Sequence, residues 1–171
     1  MKKAIIIGAG THGQIYASYL KEAGVNVVGF IDDADSYQGE SVIGIDVLGK
    51  YPDLFEAKLK NEITEVYCPI GDNLIRQKYL LALKDVGYNT PSFFHHTVSI
   101  GPDVELGEAN YMLPGNLIMP HTRIGDYFMV NMGTTIGHHN TIGNGVFMSS
   151  GINVGASMAI GDMAYFGIGS T

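Results

Sequence analysis

Two adjacent histidines, His138 and His139, are the residues of this sequence best suited to acid–base chemistry. They lie in the segment T-I-G-H-H-N, in the second half of the chain, where apolar residues recur at a fixed spacing. An unperturbed imidazole titrates near neutrality, so it can take a proton from an attacking amine or hydroxyl and raise a rate by about 10²–10⁴. The competing interpretation is that both are surface or interface side chains with no chemical role.

A glycine-rich segment near the N-terminus is the second place where residue types predict chemistry. Residues 8–13 read G-A-G-T-H-G, and Asp32 follows about 20 residues later at the end of the next predicted strand, as in the dinucleotide-binding pattern. Such glycines let the backbone approach a phosphate at a helix N-terminus, and the acid can bind ribose hydroxyls. The sequence therefore predicts a nucleotide site, with a tight strand-to-helix turn and no ligand as the alternative.

The segment Ile70-Gly71-Asp72-Asn73 also follows a predicted strand and opens a predicted helix. The carboxyl ends of neighbouring strands in an open α/β sheet meet at one crevice, so we expect Gly71 to face the same ligand as Gly10. An ordinary helix cap made by Asp72 or Asn73 explains these residues equally well.

The spacing of apolar residues predicts the element that carries the two histidines. Every sixth residue over this region is apolar, and glycine often follows it. A helix has a period of 3.6 and a flat strand a period of 2, so neither sustains a period of six. A chain that turns a corner after each short strand does, which predicts a parallel β-helix with coils of about 18 residues. The series is Ile100, Leu106, Met112, Ile118, Ile124, Val130, Ile136, Ile142, Met148, Val154, Ile160 and Phe166.

Stacked coils place each residue about 4.8 Å from the residues one coil away. His139 then stacks between His121 and Ser157, with Asp103 two coils back in the same column, while His138 stacks between Pro120 and Ala156. Because no carboxylate or cysteine completes a convincing ligand set around these histidines, we predict no metal site.

The first part of the chain alternates between strand and helix patterns. We predict strands at Lys3–Ile7, Val25–Ile31 and Ile63–Ile70, a short strand near Val42–Leu48, and an extended piece at Thr90–Phe94. Helices are predicted at Gln14–Ala23, Tyr51–Lys60 and Asp72–Val86. This is half of a doubly wound fold, with room for one mononucleotide. The domains are therefore predicted as 1–94, Rossmann-like, and 95–171, the β-helix.

Composition and charge exclude several classes of protein. The net charge of −7 argues against a nucleic-acid surface, and the single Cys68 excludes an internal disulfide. No run approaches the ~20 apolar residues of a membrane span, and the short apolar start leads directly into the glycine turn, so we expect a cytoplasmic protein. Residues 97–171 carry one basic side chain, Arg123, and five acids. A nearly neutral solenoid surface favours packing against copies of the same chain.

The combination of these features resembles a known family, the sugar O- and N-acyltransferases of the sialic-acid and bacillosamine type. The resemblance covers the whole chain and is carried by I-G-A-G-T-H-G, F-I-D-D, I-G-D-N with Arg76, L-I-M-P, V-N-M-G-T-T-I-G-H-H-N-T-I-G and the hexads. It implies a nucleotide-sugar domain joined to a left-handed β-helix. It also implies transfer of an acetyl group from acetyl-CoA to an amine or hydroxyl of a nucleotide-activated sugar for surface glycans, in a homotrimer.

The resemblance also assigns residues to these roles. It makes His138 the general base and groups His139 with it in the catalytic pair, and it places substrate contacts at Gly10, Thr11, His12, Asp32, Asp33 and Gly71. The acetyl-CoA contacts fall on Phe147, Gly155, Ala156 and Ile168.

Three departures from the family pattern leave an alternative open. His139 stands where the family often has an acid that orients the base, and Phe147 stands where some members have a histidine that helps to hold acetyl-CoA. The sequence also stops partway through a coil, where family members continue over the distal part of CoA. His139 and the abrupt end favour a non-catalytic nucleotide-sugar-binding or assembly protein with a degraded CoA site as the second hypothesis. An NAD-dependent oxidoreductase is the third, and it rests on G-A-G-T-H-G alone.

Overall fold

The computed structural model describes residues 3–56 and 62–171. The chain divides into two compact units, Met1–Ile70 with Lys78–Pro91 and Gly71–Gln77 with Ser92–Thr171. The second unit therefore takes in the short segment Gly71–Gln77 in addition to the C-terminal part of the chain.

The first unit is an open α/β sheet. Its strands are β1 (Ala4–Ile7), β2 (Val27–Ile31), β3 (Ser41–Val42), β4 (Ile45–Gly49) and β5 (Glu65–Tyr67), in the order β3-β4-β2-β1-β5. The pairs β4–β2, β2–β1 and β1–β5 are parallel, and β3 pairs antiparallel with β4. Strands β1 and β2 are almost entirely buried, which explains why their sequences A-I-I-I and V-V-G-F-I are continuous apolar runs.

Two α-helices and two 3-10 helices accompany these strands. Helix α1 spans Thr11–Glu22, and helix α2 spans Asn73–Asp85, with its first residues in the second unit and its remainder in the first. The 3-10 helices are Asp35–Tyr37 and Tyr51–Phe55. The helix predicted for Tyr51–Lys60 is therefore a short 3-10 helix at its start, where Asp53 accepts the backbone N–H of Lys50 at 2.7 Å. Residues 57–60 of that prediction lie outside the described residues.

The second unit is a parallel β-helix of two-residue strands, as the period of six predicted. Its three flat sides have strand orders β16-β13-β10-β7, β17-β14-β11-β8 and β18-β15-β12-β9-β6, which we name face 1, face 2 and face 3. The strands are β6 (Phe93–Phe94), β7 (Ser99–Ile100), β8 (Glu105–Leu106), β9 (Tyr111–Met112), β10 (Leu117–Ile118), β11 (Arg123–Ile124), β12 (Met129–Val130), β13 (Thr135–Ile136), β14 (Thr141–Ile142), β15 (Phe147–Met148), β16 (Asn153–Val154), β17 (Ala159–Ile160) and β18 (Tyr165–Phe166). The predicted fold class is confirmed.

The hexad residues form the core of this unit. Ile118 pairs with Ile136, which pairs with Val154, so the three lie in one column along the axis, and both isoleucines are fully buried. The glycine after the apolar residue has a specific packing reason. A Cβ placed on Gly137 would lie 2.7 Å from the carbonyl oxygen of Gly155 in the next coil. The strand spacing between coils leaves no room for a side chain there.

No helix within residues 3–56 and 62–171 is long and apolar enough to cross a membrane.

Candidate functional site

The glycine-rich turn of the first unit connects β1 to α1, and its glycines differ in what they meet. Gly8 has φ +97°, a backbone conformation that glycine adopts without strain. A Cβ on Gly13 would lie 1.8 Å from the carbonyl oxygen of Gly8, so only glycine fits at that position. Both residues are therefore required by the turn itself, whether or not a ligand binds.

The geometry of the turn does not explain why residue 10 is a glycine. Apart from its neighbours along the chain, no described residue has an atom within 4 Å of a Cβ built at Gly10, and the φ of −68° at Gly10 is ordinary. Gly10 is the N-cap of α1 but offers no side-chain cap, and the exposed Thr11 and the half-buried His12 follow it. The backbone N–H groups of a helix start carry partial positive charge, so the open space at Gly10 suits an anionic group that comes close to the backbone.

Asp32 fixes this turn against the end of β2. One carboxylate oxygen accepts the backbone N–H of Ala9 at 2.7 Å, and the other accepts that of Ala34 at 2.9 Å. The side chain thus joins the turn after β1 to the loop after β2, which the spacing from G-A-G-T-H-G alone did not reveal. Each oxygen keeps a lone pair, so a ribose hydroxyl can still bind there.

Asp33 is held by two tyrosines that the sequence analysis missed. Its carboxylate accepts the backbone N–H of Tyr51 at 2.8 Å and the hydroxyl of Tyr79 at 2.9 Å. The two rings are stacked, with centroids 3.6 Å apart and planes within 8° of parallel. Burial raises the pKa of Tyr51 to about 12, and burial together with the hydrogen bond to Asp33 raises the pKa of Tyr79 to about 12. Nothing in the local sequence marks either tyrosine as a partner of Asp33.

Gly71 belongs to the second unit, where the start of α2 lies against the β-helix. Asn73 donates to the carbonyls of Met163 and Ala164 at 3.1 and 3.2 Å. Asp72 accepts the N–H of Ile75 at 2.9 Å, so the helix cap considered in the sequence analysis is present. Because Gly71 and Gly10 fall in different units, their convergence on one ligand stays a prediction.

Arg76 is the side chain that secures this segment. It is fully buried, and its guanidinium donates to the carbonyls of Tyr127 at 3.0 Å and Gly145 at 2.9 Å, and to Asn73 Oδ1 at 3.1 Å. Tyr127 and Gly145 occupy the same corner of successive coils, and both have positive φ. The planar fork of donors in arginine suits such a set of carbonyl acceptors. The motif I-G-D-N with Arg76 therefore has a structural basis within the second unit.

The two histidines lie on an exposed corner between face 1 and face 2. His138 Nδ1 is 3.0 Å from His139 Nδ1, and the rings are perpendicular, with centroids 5.1 Å apart. The ring of His139 packs against the ring of His121, with ring centroids 4.8 Å apart. His121 Nδ1 lies 3.6 Å from a carboxylate oxygen of Asp103. The predicted column of Asp103, His121, His139 and Ser157 is confirmed, and all four have φ between +55° and +60°.

An exposed imidazole that is hydrogen-bonded through Nδ1 has the geometry of a general base, because its Nε2 remains available to a substrate. The structure thus adds a contact between His138 and His139 that the sequence analysis did not predict. Their assigned chemical roles remain predictions.

The four residues assigned to acetyl-CoA differ in exposure. Gly155, Ala156 and Ile168 are exposed, and Ile168 is 82% exposed, so each can meet a ligand along the outside of the coils. Phe147 is buried at 3% exposure and is stacked on Tyr165, with ring centroids 5.1 Å apart. The exposed aromatic ring next to Phe147 is therefore that of Tyr165, which is 67% exposed, and the buried ring of Phe147 packs against it.

Comparison with known proteins finds a family match for the N-terminal part of the chain and fold matches for nearly the whole chain. Residues 3–83 match the family described as the PglD N-terminal domain. No curated protein sequence matches the chain.

Several solved structures share the fold, at identities that establish the fold alone. A histidine mutant of GDP-perosamine N-acetyltransferase from Caulobacter crescentus, in complex with CoA and GDP-perosamine, is 22% identical, with a TM-score of 0.77 over 99% of this chain and 87% of that chain. WeeI from Acinetobacter baumannii AYE is also 22% identical, with a TM-score of 0.86 over 99% of this chain and 79% of that chain. The acetyltransferase domain of PglB from Neisseria gonorrhoeae FA1090 is 21% identical, with a TM-score of 0.62 over 99% of this chain and 95% of that chain.

The resemblance inferred from the sequence is thus confirmed as a similarity: residues 3–83 match the PglD N-terminal domain family, and the chain shares its fold with GDP-perosamine N-acetyltransferase and with the acetyltransferase domain of PglB.

Proposed function

We propose that this protein is an acyltransferase that moves the acetyl group of acetyl-CoA to an amine or hydroxyl of a nucleotide-activated amino sugar, in the synthesis of surface glycans. The observation that carries the proposal is the exposed His138, hydrogen-bonded through Nδ1 to His139 on a corner of the β-helix. It is supported by solved structures of the same fold that hold CoA and GDP-perosamine.

Acetyl transfer requires the protein to position the two substrates and to supply one base. The thioester of acetyl-CoA is already activated, so transfer depends on bringing the nucleophile to its carbonyl carbon and removing one proton. His138 takes that proton as the new C–N or C–O bond forms and the C–S bond breaks. The proton can then pass to the departing thiolate of CoA, which returns His138 to its neutral state.

The first unit supplies the site for the nucleotide portion of the substrate. The open backbone at Gly10 and the start of α1 at Thr11 suit a diphosphate, and the lone pairs left on Asp32 suit ribose hydroxyls. His12, Asp33 and Gly71 complete the proposed substrate contacts. Acetyl-CoA is assigned to Gly155, Ala156 and Ile168, with Phe147 acting beneath Tyr165.

We further propose that the active form is a cytoplasmic homotrimer. The outward residues of face 1 are Ser99, Leu117, Thr135 and Asn153, none of which is charged. His138 follows β13 at the corner that bounds this face. A second copy packed on face 1 would therefore place His138 at the edge of a subunit boundary, where a cleft for substrate can form.

The test is turnover by purified protein with acetyl-CoA and a panel of nucleotide-linked amino sugars, measured as release of the free CoA thiol. His138→Ala should lower the transfer rate by about two orders of magnitude or more if His138 is the base. His139→Ala should cost less.

The reverse ranking of these two variants would make His139 the base. If the parent transfers no acyl group from any acyl-CoA but is stabilised by a nucleotide sugar, the protein is a binding or assembly protein instead. A ligand present at about 100 times its Kd should stabilise the folded state by ~2.7 kcal/mol.

A further inference from the structure

We propose that the ion pair of Asp35 and Lys50 contacts the nucleobase of the substrate and selects bases that present a carbonyl beside a ring N–H, which we call keto bases. Guanine, hypoxanthine and uracil have this edge, and adenine and cytosine do not. The inference rests on the proposed function, since it names the class of nucleotide that the substrate carries. It starts from a contact in the first unit, where Lys50 Nζ lies 2.6 Å from Asp35 Oδ1.

The ion pair lies at the edge of the sheet that carries the predicted nucleotide contacts. Asp35 begins the 3-10 helix after β2, and Lys50 directly follows β4. Because β2 and β4 are parallel neighbours, both residues are at the carboxyl edge of the sheet, where open α/β sheets bind ligands. The backbone N–H of Asp32 donates to the carbonyl of Gly49 at 3.0 Å, so the two loops are joined where they leave the sheet.

The ion pair is also close to the carboxylate that is proposed to bind the ribose. Asp32 and Asp35 are three residues apart, so their Cα atoms are separated by at most about 11 Å. The carboxylate of Asp32 accepts the N–H of Ala34 at 2.9 Å, and the side chain of Gln38 donates to the carbonyl of Asp32 at 2.6 Å, which holds this loop in place. A ribose bound at Asp32 therefore leaves its base within reach of Asp35 and Lys50.

Both side chains of the ion pair are open to a ligand. The Asp35 side chain is 92% exposed, and the Lys50 side chain is 44% exposed. An ion pair this exposed contributes little to the stability of a fold. The position of Lys50 is set instead by its backbone N–H, which donates to the carboxylate of Asp53 at 2.7 Å. The two charged groups can therefore turn to a ligand while the loops that carry them stay in place.

The charges of the pair determine which group donates and which accepts. The hydrogen bond between the two side chains lowers the pKa of the Asp35 carboxyl and raises the pKa of the Lys50 ammonium. At neutral pH Asp35 therefore only accepts hydrogen bonds, and Lys50 only donates them. One N–H of the ammonium is used by the ion pair, which leaves two N–H groups and the second carboxylate oxygen for a ligand.

A donor beside an acceptor is complementary to one kind of base edge. In a keto base, Lys50 can donate to the carbonyl oxygen while Asp35 accepts the ring N–H, and both hydrogen bonds are charge-assisted. In adenine and cytosine an amino group stands beside a bare ring nitrogen, so donor and acceptor are exchanged. A ribose bound at Asp32 fixes the direction of the base, and an amino base would then set donor against donor and acceptor against acceptor. Such a mismatch excludes the wrong base as well as favouring the right one.

The test is calorimetric titration of nucleoside diphosphates into the full chain without acetyl-CoA. UDP and CDP differ only at this edge of a pyrimidine, and IDP and ADP differ only at this edge of a purine. The ratio of the two Kd values within each pair therefore isolates the contact. We expect the keto base to bind about tenfold or more tightly than the amino base in the pair whose ring size the site accepts.

Variants assign this ratio to the ion pair. Lys50→Met and Asp35→Ala should each bring the ratio to within about threefold of unity, while their thermal midpoints stay close to that of the parent. Lys3→Met is the matched control, because Lys3 forms an exposed ion pair with Glu62 at the amino end of β1, on the opposite edge of the sheet. It should keep the ratio of the parent. Gly10→Ala should weaken both members of a pair by the same factor, since it acts on the phosphates.

Other outcomes overturn the inference in distinguishable ways. Equal affinities within both pairs, tighter binding of the amino base, or a keto preference that either ion-pair variant retains would remove Asp35 and Lys50 from base selection. Failure of all four diphosphates to bind would overturn the nucleotide site of the first unit as well. A parent that shows the keto preference but transfers no acetyl group would reject the proposed acyl transfer and leave the base selection intact.

Discussion

Gly10 and Gly13 belong to one sequence motif, yet at the residue scale they have different tasks. The Cβ of an alanine at position 13 would overlap the carbonyl of Gly8 at 1.8 Å, whereas an alanine at position 10 meets open space. Gly13 is therefore needed for the fold, and Gly10 is available for a ligand.

This difference gives a matched pair of variants. Gly10→Ala should fold with a free energy of unfolding close to that of the parent but bind a nucleotide sugar about tenfold more weakly, because the methyl group occupies the space of the phosphate. Gly13→Ala should lower the thermal midpoint sharply. Calorimetric binding titrations and thermal melts of both variants test this, and unchanged nucleotide-sugar affinity in Gly10→Ala would remove Gly10 from the site.

At the residue scale, the sequence allowed some side-chain contacts to be predicted and not others. The column of Asp103, His121, His139 and Ser157 followed from the coil length, because one coil places its residues directly on those of the next. The hydrogen bond between His138 and His139 did not follow, since it depends on the rotamers of neighbouring side chains. The bonds from Asp32 to Ala9 and Ala34 were equally hidden, because a carboxylate at a strand end has several backbone donors within reach.

At the scale of elements, Asp33 in the loop after β2 connects Tyr51, which follows β4, with Tyr79 of helix α2. An unfolded tyrosine titrates near pH 10, and burial raises the pKa of both residues to about 12. The folded state therefore prefers the protonated phenols. Their stabilising contribution is complete below about pH 10 and is lost as the pH rises from about 10 to 12.

Removing one phenol should reduce this alkaline sensitivity. The thermal midpoint of the parent should fall between about pH 10 and pH 12 more steeply than that of Tyr79→Phe, which should start from a lower midpoint at neutral pH because Asp33 loses a donor. Tyr165→Phe, at an exposed ring, should have the pH dependence of the parent. Parallel curves for the parent and Tyr79→Phe would contradict the assigned role of Tyr79.

The hexad residues give a second prediction at this scale. Ile142 is 2% exposed and points into the β-helix, while its neighbour Thr141 is exposed on face 2. Ile142→Ala should lower the free energy of unfolding by about 2–5 kcal/mol through lost burial and a cavity, and Thr141→Ala should change it by no more than about 0.5 kcal/mol. Denaturant unfolding measures both values, and similar losses in the two variants would contradict the inward and outward assignment.

The elements were predicted with unequal success for a physical reason. The β-helix was predictable because one repeated spacing sets both the burial and the register of every strand. The short 3-10 helix at Tyr51–Phe55 was predicted as a longer helix, since its apolar residues Leu54 and Phe55 fit either form. The packing of Gly71–Gln77 on the β-helix was not predictable, because Arg76 donates to carbonyl groups far along the chain, which no local pattern reveals.

At the scale of the whole molecule, charge is divided unevenly along the chain. Residues 97–171 hold one basic and five acidic side chains, and the acid Glu105 and the base Arg123 pair with each other on face 2 at 3.1 Å. Face 1 instead has the uncharged outward residues described above, including Leu117, which is 39% exposed. Face 1 is therefore the side of the β-helix best suited to contact with a second copy.

Assembly can be tested by placing one charge on face 1 and the same charge on face 2. The parent should sediment at micromolar concentration as a species of three times the 18.4 kDa chain mass. Leu117→Glu should sediment mainly as a monomer, because an interface that buries an unpaired carboxylate is strongly disfavoured. Thr141→Glu should remain a trimer.

Because His138 lies at the corner bounding face 1, loss of the trimer in Leu117→Glu should also lower the rate of acetyl transfer. Thr141→Glu should keep the rate of the parent. A parent that sediments as a monomer, or a monomeric Leu117→Glu variant with full activity, would reject an active site completed by a neighbouring chain.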